Sequence, residues 1–322
     1  MKLLLTGCAG FIGARTTQLA LDAGHEVVGL DNLNDYYDPR LKRHRLEPLL
    51  LSPGFRFIEM DIENGEALDR VFGAHRFDAV VNLAARAGVR ASILDPQVYM
   101  RTNTVATLNL LERMFRHEVP KFVIASTSSL YAGQPMPFSE AANVTRPISP
   151  YAATKLAAEA LCHVWHHLHQ TDVSILRFFT VYGPAGRPDM APFRFCEWIR
   201  RGEPLILFGD GNQTRDFTYI DDIASGTLAA LKPLGYEIIN LGGGNAPITV
   251  NSMIQTLEQS LGRSARVERR PPVAADMQDT AADISKAKNL LHWAPATAPA
   301  KGLELTARWH LEQAGWLDAV RI

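Results

Sequence analysis

Over the first half of the chain, short apolar runs alternate with longer stretches of helical character. KLLLTG, HEVVGLD, FRFIEMD, FDAVVNLAA, KFVIASTSS and VSILRFF each read as a strand. Between strands, Gln97 to Arg116 and Tyr151 to His169 hold enough helical residues to be full crossover helices. This order predicts a parallel sheet with helices on both faces, whose ligands bind beyond the carboxyl ends of the strands. After about Phe179 the pattern turns irregular, with Gly183-Pro184, Arg187-Pro188 and Gly209-Asp210-Gly211-Asn212 as turn signals. A further strand, Glu237 to Leu241, returns to the sheet, and the remainder makes a small mixed lobe. The expected fold is α/β, a doubly wound parallel sheet with a smaller mixed C-terminal lobe. Residues 1–178 and 217–244 form the sheet domain, and 179–216 and 245–322 the lobe.

Bulk properties narrow the partners. The 322 residues carry 33 Lys and Arg against 34 Asp and Glu, and no long run of one sign, so no nucleic-acid footprint or membrane-surface patch is expected. Cys8, Cys162 and Cys196 are far apart and form no C-x-x-C pair, which suits a reducing cytoplasm and excludes a disulfide framework. Met1-Lys2 leads directly into the apolar run Leu3 to Leu5, leaving no room for a signal peptide, and no stretch is long and apolar enough to span a bilayer. In CHVWHHLH, His163 and His167 are four apart, but the Glu and third ligand of a zinc helix are missing, so no metal is expected.

Three features carry chemistry. TGCAGFIG follows the first strand and opens a helix, putting Gly7, Gly10 and Gly13 three residues apart around Phe11 and Ile12. Glycine permits a tight turn and close approach of a pyrophosphate, whose charge meets the helix N-terminal N–H groups. Asp31 ends the second strand, where a carboxylate accepts from adenosine ribose hydroxyls and repels a 2′-phosphate, favouring NAD over NADP. Tyr151 and Lys155 form Y-x-x-x-K at the start of a helix and share one face. A free phenol titrates near pH 10, and a neighbouring ammonium together with a nicotinamide cation would favour the phenolate, which can then take a proton from a sugar hydroxyl. Ser126-Thr127-Ser128-Ser129 ends the fifth strand and can bring a hydroxyl beside Tyr151.

In this order, these features resemble the extended short-chain dehydrogenases that modify nucleotide sugars, over essentially the whole chain. The resemblance implies a Rossmann-type sheet and bound NAD. It puts Asn32, Asp61 and Ile62 at the adenosine end, Leu83, Ala84 and Ala85 along the cofactor, and Asn103 as a further cofactor-side contact. Counted back from the Tyr131 landmark, it makes Thr127 the partner of Tyr151.

Sugar dehydratases of this family resemble T-D-E where this chain has Thr127-Ser128-Ser129, and uronate decarboxylases resemble T-S-E. With only hydroxyls there, the simplest chemistry is oxidation at C4 followed by hydride return. DNLNDYYDPRLKRHRLE, AARAGVRAS, LRFFTVYGPAGRPDM and RDFTYIDDI resemble UDP-glucuronate 4-epimerases. That implies a UDP-uronate substrate and C4 epimerisation to UDP-galacturonic acid through a 4-keto sugar. Arg187 is the best-placed cation for the carboxylate and Arg90 the second candidate, though either can instead be a solvated loop charge. Thr180 orients the sugar, Arg215 matches a diphosphate ligand, and Asp276 a ribose contact, although PPVAADMQ lacks the family's glycine there. Phe208 matches a uracil-stacking position, with core packing as the alternative. The family also implies a homodimer. Three readings stay open beside epimerisation of UDP-glucuronic acid: decarboxylation to a UDP-pentose, 4-epimerisation of another UDP-sugar, and a non-catalytic NAD-sensing scaffold, against which the intact Thr127, Tyr151 and Lys155 speak.

Overall fold

The computed structural model describes residues 1–244, 247–272 and 277–322. The strands are β1 (Lys2–Thr6), β2 (Glu26–Asp31), β3 (Phe55–Glu59), β4 (Ala79–Asn82), β5 (Lys121–Thr127), β6 (Asp172–Phe178), β7 (Thr180–Tyr182), β8 (Pro204–Phe208), β9 (Thr214–Arg215), β10 (Phe217–Tyr219), β11 (Tyr236–Leu241), β12 (Ile248–Thr249) and β13 (Arg266–Arg270). The helices are α1 (Phe11–Asp22), α2 (Pro39–Leu50), α3 (Gly65–Ala74), α4 (Val89–Leu94), α5 (Pro96–Tyr99), α6 (Ala106–Arg116), α7 (Pro150–His169), α8 (Ala191–Arg201), α9 (Ile220–Ala229), α10 (Val250–Leu261), α11 (Ser285–Leu291), α12 (Pro299–Glu312) and α13 (Ala314–Leu317).

Seven strands form one sheet in the order β11-β6-β5-β4-β1-β2-β3. Every pairing in it is parallel. The order reverses at β1, so the crevice where a ligand can enter lies between the ends of β1 and β4. Each face of the sheet has its own core. One gathers Leu3, Leu5, Val81, Val123 and Leu176, the other Leu4, Val28, Val80, Phe122 and Ile175. These are alternate residues of the same strands, and burial on both sides is what makes the runs continuously apolar in sequence.

All six expected strands form, and β11 joins β6 in parallel register from Tyr236 to Leu241. The first crossover helix differs from expectation. Gln97 to Arg116 is not one α-helix: a π-helical stretch, Met100–Val105, separates α5 from α6. There the Thr107 hydroxyl donates to the Asn103 carbonyl (2.7 Å) and the Thr104 hydroxyl to the Thr154 carbonyl (3.1 Å). The widened turn lets Asn103 turn inward, and π-bulges of this kind recur beside functional sites. The segment after Phe179 is more ordered than its turn signals suggest. α8 buries Phe193, Phe195, Cys196 and Ile199, and β7 pairs with β10. A third apolar cluster, including Phe195, Leu205, Phe217 and Met253, packs there beside Phe11 of α1.

Candidate active site

A cavity of about 740 Å³ runs from the glycine turn, past the ends of β2, β4 and β5, to β8 and Arg215. Gly7, Gly10, Phe11, Ile12, Gly13, Asp31, Asn32, Asp61, Ile62, Leu83, Ala84 and Ala85 line one arm. Thr127, Ser128, Ser129, Tyr151 and Lys155 sit midway, and Arg90, Thr180, Arg187, Phe208 and Arg215 lie on the other arm. Asp276 falls outside the described residues. Asn103 stands behind the wall instead of on it. Its amide donates to the Arg86 carbonyl (2.9 Å) and the Thr154 hydroxyl (3.0 Å) and accepts from the Arg86 N–H (2.8 Å), bracing the strand end that carries Leu83 to Ala85.

The glycine turn is packed to its limit. Gly7 has φ +73°, and a Cβ there would lie 2.7 Å from the Ala84 nitrogen. A Cβ on Gly13 would come within 1.9 Å of the Gly7 carbonyl oxygen. Backbone thus closes on backbone, and α1 begins at Gly10 with no side chain capping its free N–H groups. That leaves the helix end open to a diphosphate. At the next strand end, Asp31 accepts from the Ala9 N–H (3.2 Å) and the Leu33 N–H (2.8 Å). Lys42 approaches the same carboxylate at 3.6 Å. Asn32 donates to Asp61 (2.7 Å), tying the ends of β2 and β3 together. A tight turn, an open helix end, a buried carboxylate and a long groove fit an adenine dinucleotide.

Tyr151 occupies the first turn of α7. Ser149 caps this helix by accepting from the Ala152 N–H (3.2 Å), and Pro150 holds its first position. Thr127 ends β5 and caps the following short turn, accepting from the Ser129 N–H (3.1 Å). Strand and helix are bolted together behind the site. Glu159 receives Ser126 (2.6 Å) and both arms of Arg177 (3.0 and 2.7 Å), and Arg177 also donates to Tyr131 (2.9 Å). Tyr131 in turn donates to Asn240 of β11 (2.7 Å).

Burial pushes the Tyr151 phenol up from its usual pKa, opposed by a hydrogen bond with Thr127 and by the positive charge of Arg187. The Lys155 ammonium donates to the Ala125 carbonyl (2.8 Å) and feels Glu159 and Cys162. Burial lowers Lys155 to about 8, with those two groups opposing the shift. A buried ammonium needs such a carbonyl to replace part of its lost solvation.

At the far arm, the Arg90 guanidinium lies over the Phe208 ring, 4.6 Å from its centroid. Arg215 donates to the carbonyls of Thr214 (2.8 Å) and Gln278 (3.0 Å). Arg187 is held on three sides: by Asp189 through Nε (3.0 Å) and Nη2 (2.5 Å), by the Ala87 carbonyl (3.3 Å), and by the Tyr36 ring, 5.7 Å away. Sequence reasoning missed Tyr36, Lys42 and Asp189. The first two lie in the quoted DNLNDYYDPRLKRHRLE stretch and Asp189 in the quoted LRFFTVYGPAGRPDM stretch, two residues after Arg187, but neither stretch gave them roles.

A Rossmann-type sheet whose glycine turn, buried carboxylate and Tyr–Lys helix share one cavity defines a dinucleotide-dependent enzyme of the short-chain dehydrogenase type. The model of the NAD dependent epimerase/dehydratase family matches residues 3–242, and the chain belongs to that family. It is 53% identical over 319 residues to a UDP-glucuronate 4-epimerase of Thermodesulfobacterium geofontis, covering 99% of each chain. The structure of the Bacillus cereus UDP-glucuronic acid 4-epimerase in complex with UDP-glucuronic acid and NAD is similar at TM-score 0.90 and 40% identity, over 97% of this chain and 99% of that one. A Thermotoga maritima UDP-glucose 4-epimerase solved with UDP-glucose reaches TM-score 0.89 at 31% identity, over 98% of this chain and 100% of the other. Overall shape therefore does not separate acidic from neutral sugars. The side chains of the far arm must do so.

Proposed function

We propose that this chain interconverts UDP-glucuronic acid and UDP-galacturonic acid by epimerisation at C4, using tightly bound NAD. The observation that supports the reading is that Tyr151 and Thr127 line the same cavity as the dinucleotide groove and the half-buried Arg187, while Ser128 and Ser129 stand where water elimination would need acids. The same arrangement disfavours an inert NAD sensor, which needs no matched base.

Tyr151 takes the proton from the C4 hydroxyl, and Thr127 orients that oxygen by hydrogen bonding. The bound nicotinamide supplies the hydride acceptor and later the hydride donor, and its positive charge favours the phenolate. Lys155 retains ammonium hydrogens beyond the one given to Ala125 and serves the cofactor side. The 4-keto sugar would then turn about its diphosphate, held by Arg215, to present its other face to the cofactor, and Tyr151 would give its proton back to the C4 oxygen. Phe208 and Arg90 hold the uracil end and Thr180 the sugar.

The carboxylate falls to Arg187, because its charge reaches Tyr151, whereas Arg90 covers Phe208 at the other end. The 4-keto uronate is a β-keto acid and loses carbon dioxide once its carboxylate bond aligns with the carbonyl π system. Arg187 keeps that bond out of alignment while hydride returns, which separates epimerisation from decarboxylation. In this reading residues 1–178 and 217–244 hold the cofactor, and 179–216 and 245–322 the nucleotide sugar.

The enzyme works as a cytoplasmic homodimer. Phe115 of α6 and Val164 and Leu168 of α7 leave apolar side chains about half exposed on neighbouring helices, a surface suited to a second copy. No helix among the described residues is long and apolar enough to cross a membrane.

The test of the activity is proton NMR of the purified protein with UDP-glucuronic acid and NAD, following the anomeric and H4 signals. New signals of UDP-galacturonic acid without a pentose are expected. A UDP-pentose with carbon dioxide would replace this reading with decarboxylation.

A further inference from the structure

Arg45, on α2, takes no part in the reaction described above, yet it is only 6% exposed. Its Nε donates to the Ala185 carbonyl (2.8 Å) and its Nη2 to the Gly186 carbonyl (2.7 Å). Its Nη1 donates to the Tyr37 phenol (2.7 Å) and more weakly to the Ala9 carbonyl in the glycine turn (3.4 Å). The guanidinium also lies 5.4 Å from the Tyr37 ring centroid and 6.0 Å from that of Phe11. Among the described residues no carboxylate pairs with it. A buried cation served entirely by neutral acceptors is hard to explain as charge neutralisation, and its rigid fork is suited to fixing two successive carbonyls at once.

Those carbonyls belong to the two residues before Arg187. Ala185 has φ +53°, a left-handed conformation that non-glycine residues seldom adopt, so this stretch needs outside support to keep its path. Arg45 supplies that support from a helix on the cofactor side, 140 positions away in sequence. Tyr36, nine residues before it, faces the Arg187 guanidinium itself.

We propose that Arg45 is a positioning residue for the carboxylate clamp: it anchors the backbone of Ala185 and Gly186 to the glycine turn and α2, so that Arg187 is presented to a uronate carboxylate in register with the cofactor. Arg45 thereby sets the preference for acidic over neutral sugars and helps to suppress carbon dioxide loss. The proposal rests on the epimerase reading above.

The test is a double-mutant cycle over wild type, Arg45→Met, Arg187→Met and the double variant. For each, the KM for UDP-glucuronic acid, the inhibition constant of UDP, the share of UDP-pentose product and the bound NAD are measured. If Arg45 acts through Arg187, Arg45→Met raises KM about tenfold and releases pentose, leaves UDP inhibition and bound NAD unchanged, and adds nothing to Arg187→Met. Additive effects, equal weakening of UDP, or a KM and product ratio like wild type would overturn it. Should Arg45→Met fail to fold, Arg45→Lys retains the charge but cannot hold both carbonyls, so it must shift KM and pentose share in the same direction; a wild-type profile refutes the proposal. Failure of the wild-type protein to epimerise would refute the activity itself, whereas epimerisation with an additive cycle refutes only the role of Arg45.

Discussion

The ammonium of Lys155 donates to the carbonyl of Ala125 at 2.8 Å, on the strand side of α7, while Tyr151 one turn earlier meets Thr127. Two residues that share a helix face thus serve different neighbours. Burial brings Lys155 down to about 8, so its charge is present below that pH and lost above it. We expect kcat/KM to fall above about pH 8 with the slope of a single ionisation. Lys155→Arg keeps the cation throughout this range and should abolish the falling limb even if its maximal rate is lower. A limb that persists in that variant would assign it to another group.

Tyr151→Phe removes the phenol that meets Thr127 and should reduce kcat by roughly 10³-fold with NAD still bound. Thr127→Val removes an orienting hydrogen bond and leaves the base, so a loss of roughly 10- to 100-fold, carried by kcat and not KM, is expected. Stopped-flow measurement of the reduced nicotinamide signal separates loss of hydride transfer from loss of binding.

A buried polar cluster on α8 predicts a stability effect. Glu197 is fully buried and accepts from His310 (2.7 Å), Arg200 (3.0 and 2.7 Å) and Arg201 (3.0 Å), joining α8 to α12. Burial favours its neutral form, but the hydrogen bonds from His310 and Arg200 outweigh that and hold its carboxyl at about 2. Because the folded value lies below the ordinary 4.5, the contribution is complete above pH 4.5 and disappears as pH falls through 2. Glu197→Gln should cost about 3–5 kcal/mol near neutrality, and the gap in Tm between the two proteins should close over that acid window. Equal Tm values at pH 7 would show the cluster to be dispensable.

Leu168 is 63% exposed on α7, beside half-exposed Val164 and Phe115. The homodimer proposed above predicts that the wild type scatters light as a dimer and Leu168→Glu as a monomer, since an unpaired carboxylate buried in an apolar interface costs several kcal/mol, roughly enough to dissociate a modest dimer. A variant that stays dimeric would place the interface elsewhere.

Much of the protein was legible in the order of its residues. Buried parallel strands need continuous apolar runs, so β1 to β6 declared themselves, and the sheet that these strands build puts its ligand at their carboxyl ends. Gly7 and Gly13 were readable because only glycine survives backbone contact at 2.7 and 1.9 Å, and Asp31 and Tyr151-x-x-x-Lys155 stand at distances in the chain that local geometry fixes. What escaped was set by contacts between distant segments. α8 was lost among turn signals because its apolar side is buried only once β8 and α12 pack against it. The π-helical turn at Met100–Val105 depends on Thr104 meeting the backbone of α7. Arg187 could be named from sequence as a cation near the sugar, but apart from Asp189 two residues on, its anchors Ala87 and Tyr36 and the grip of Arg45 on the loop before it come from distant parts of the chain. Sequence periodicity determines which residues face a core, because that follows from backbone repeat; which charged group meets which partner is decided only when tertiary folding brings them within hydrogen-bonding reach.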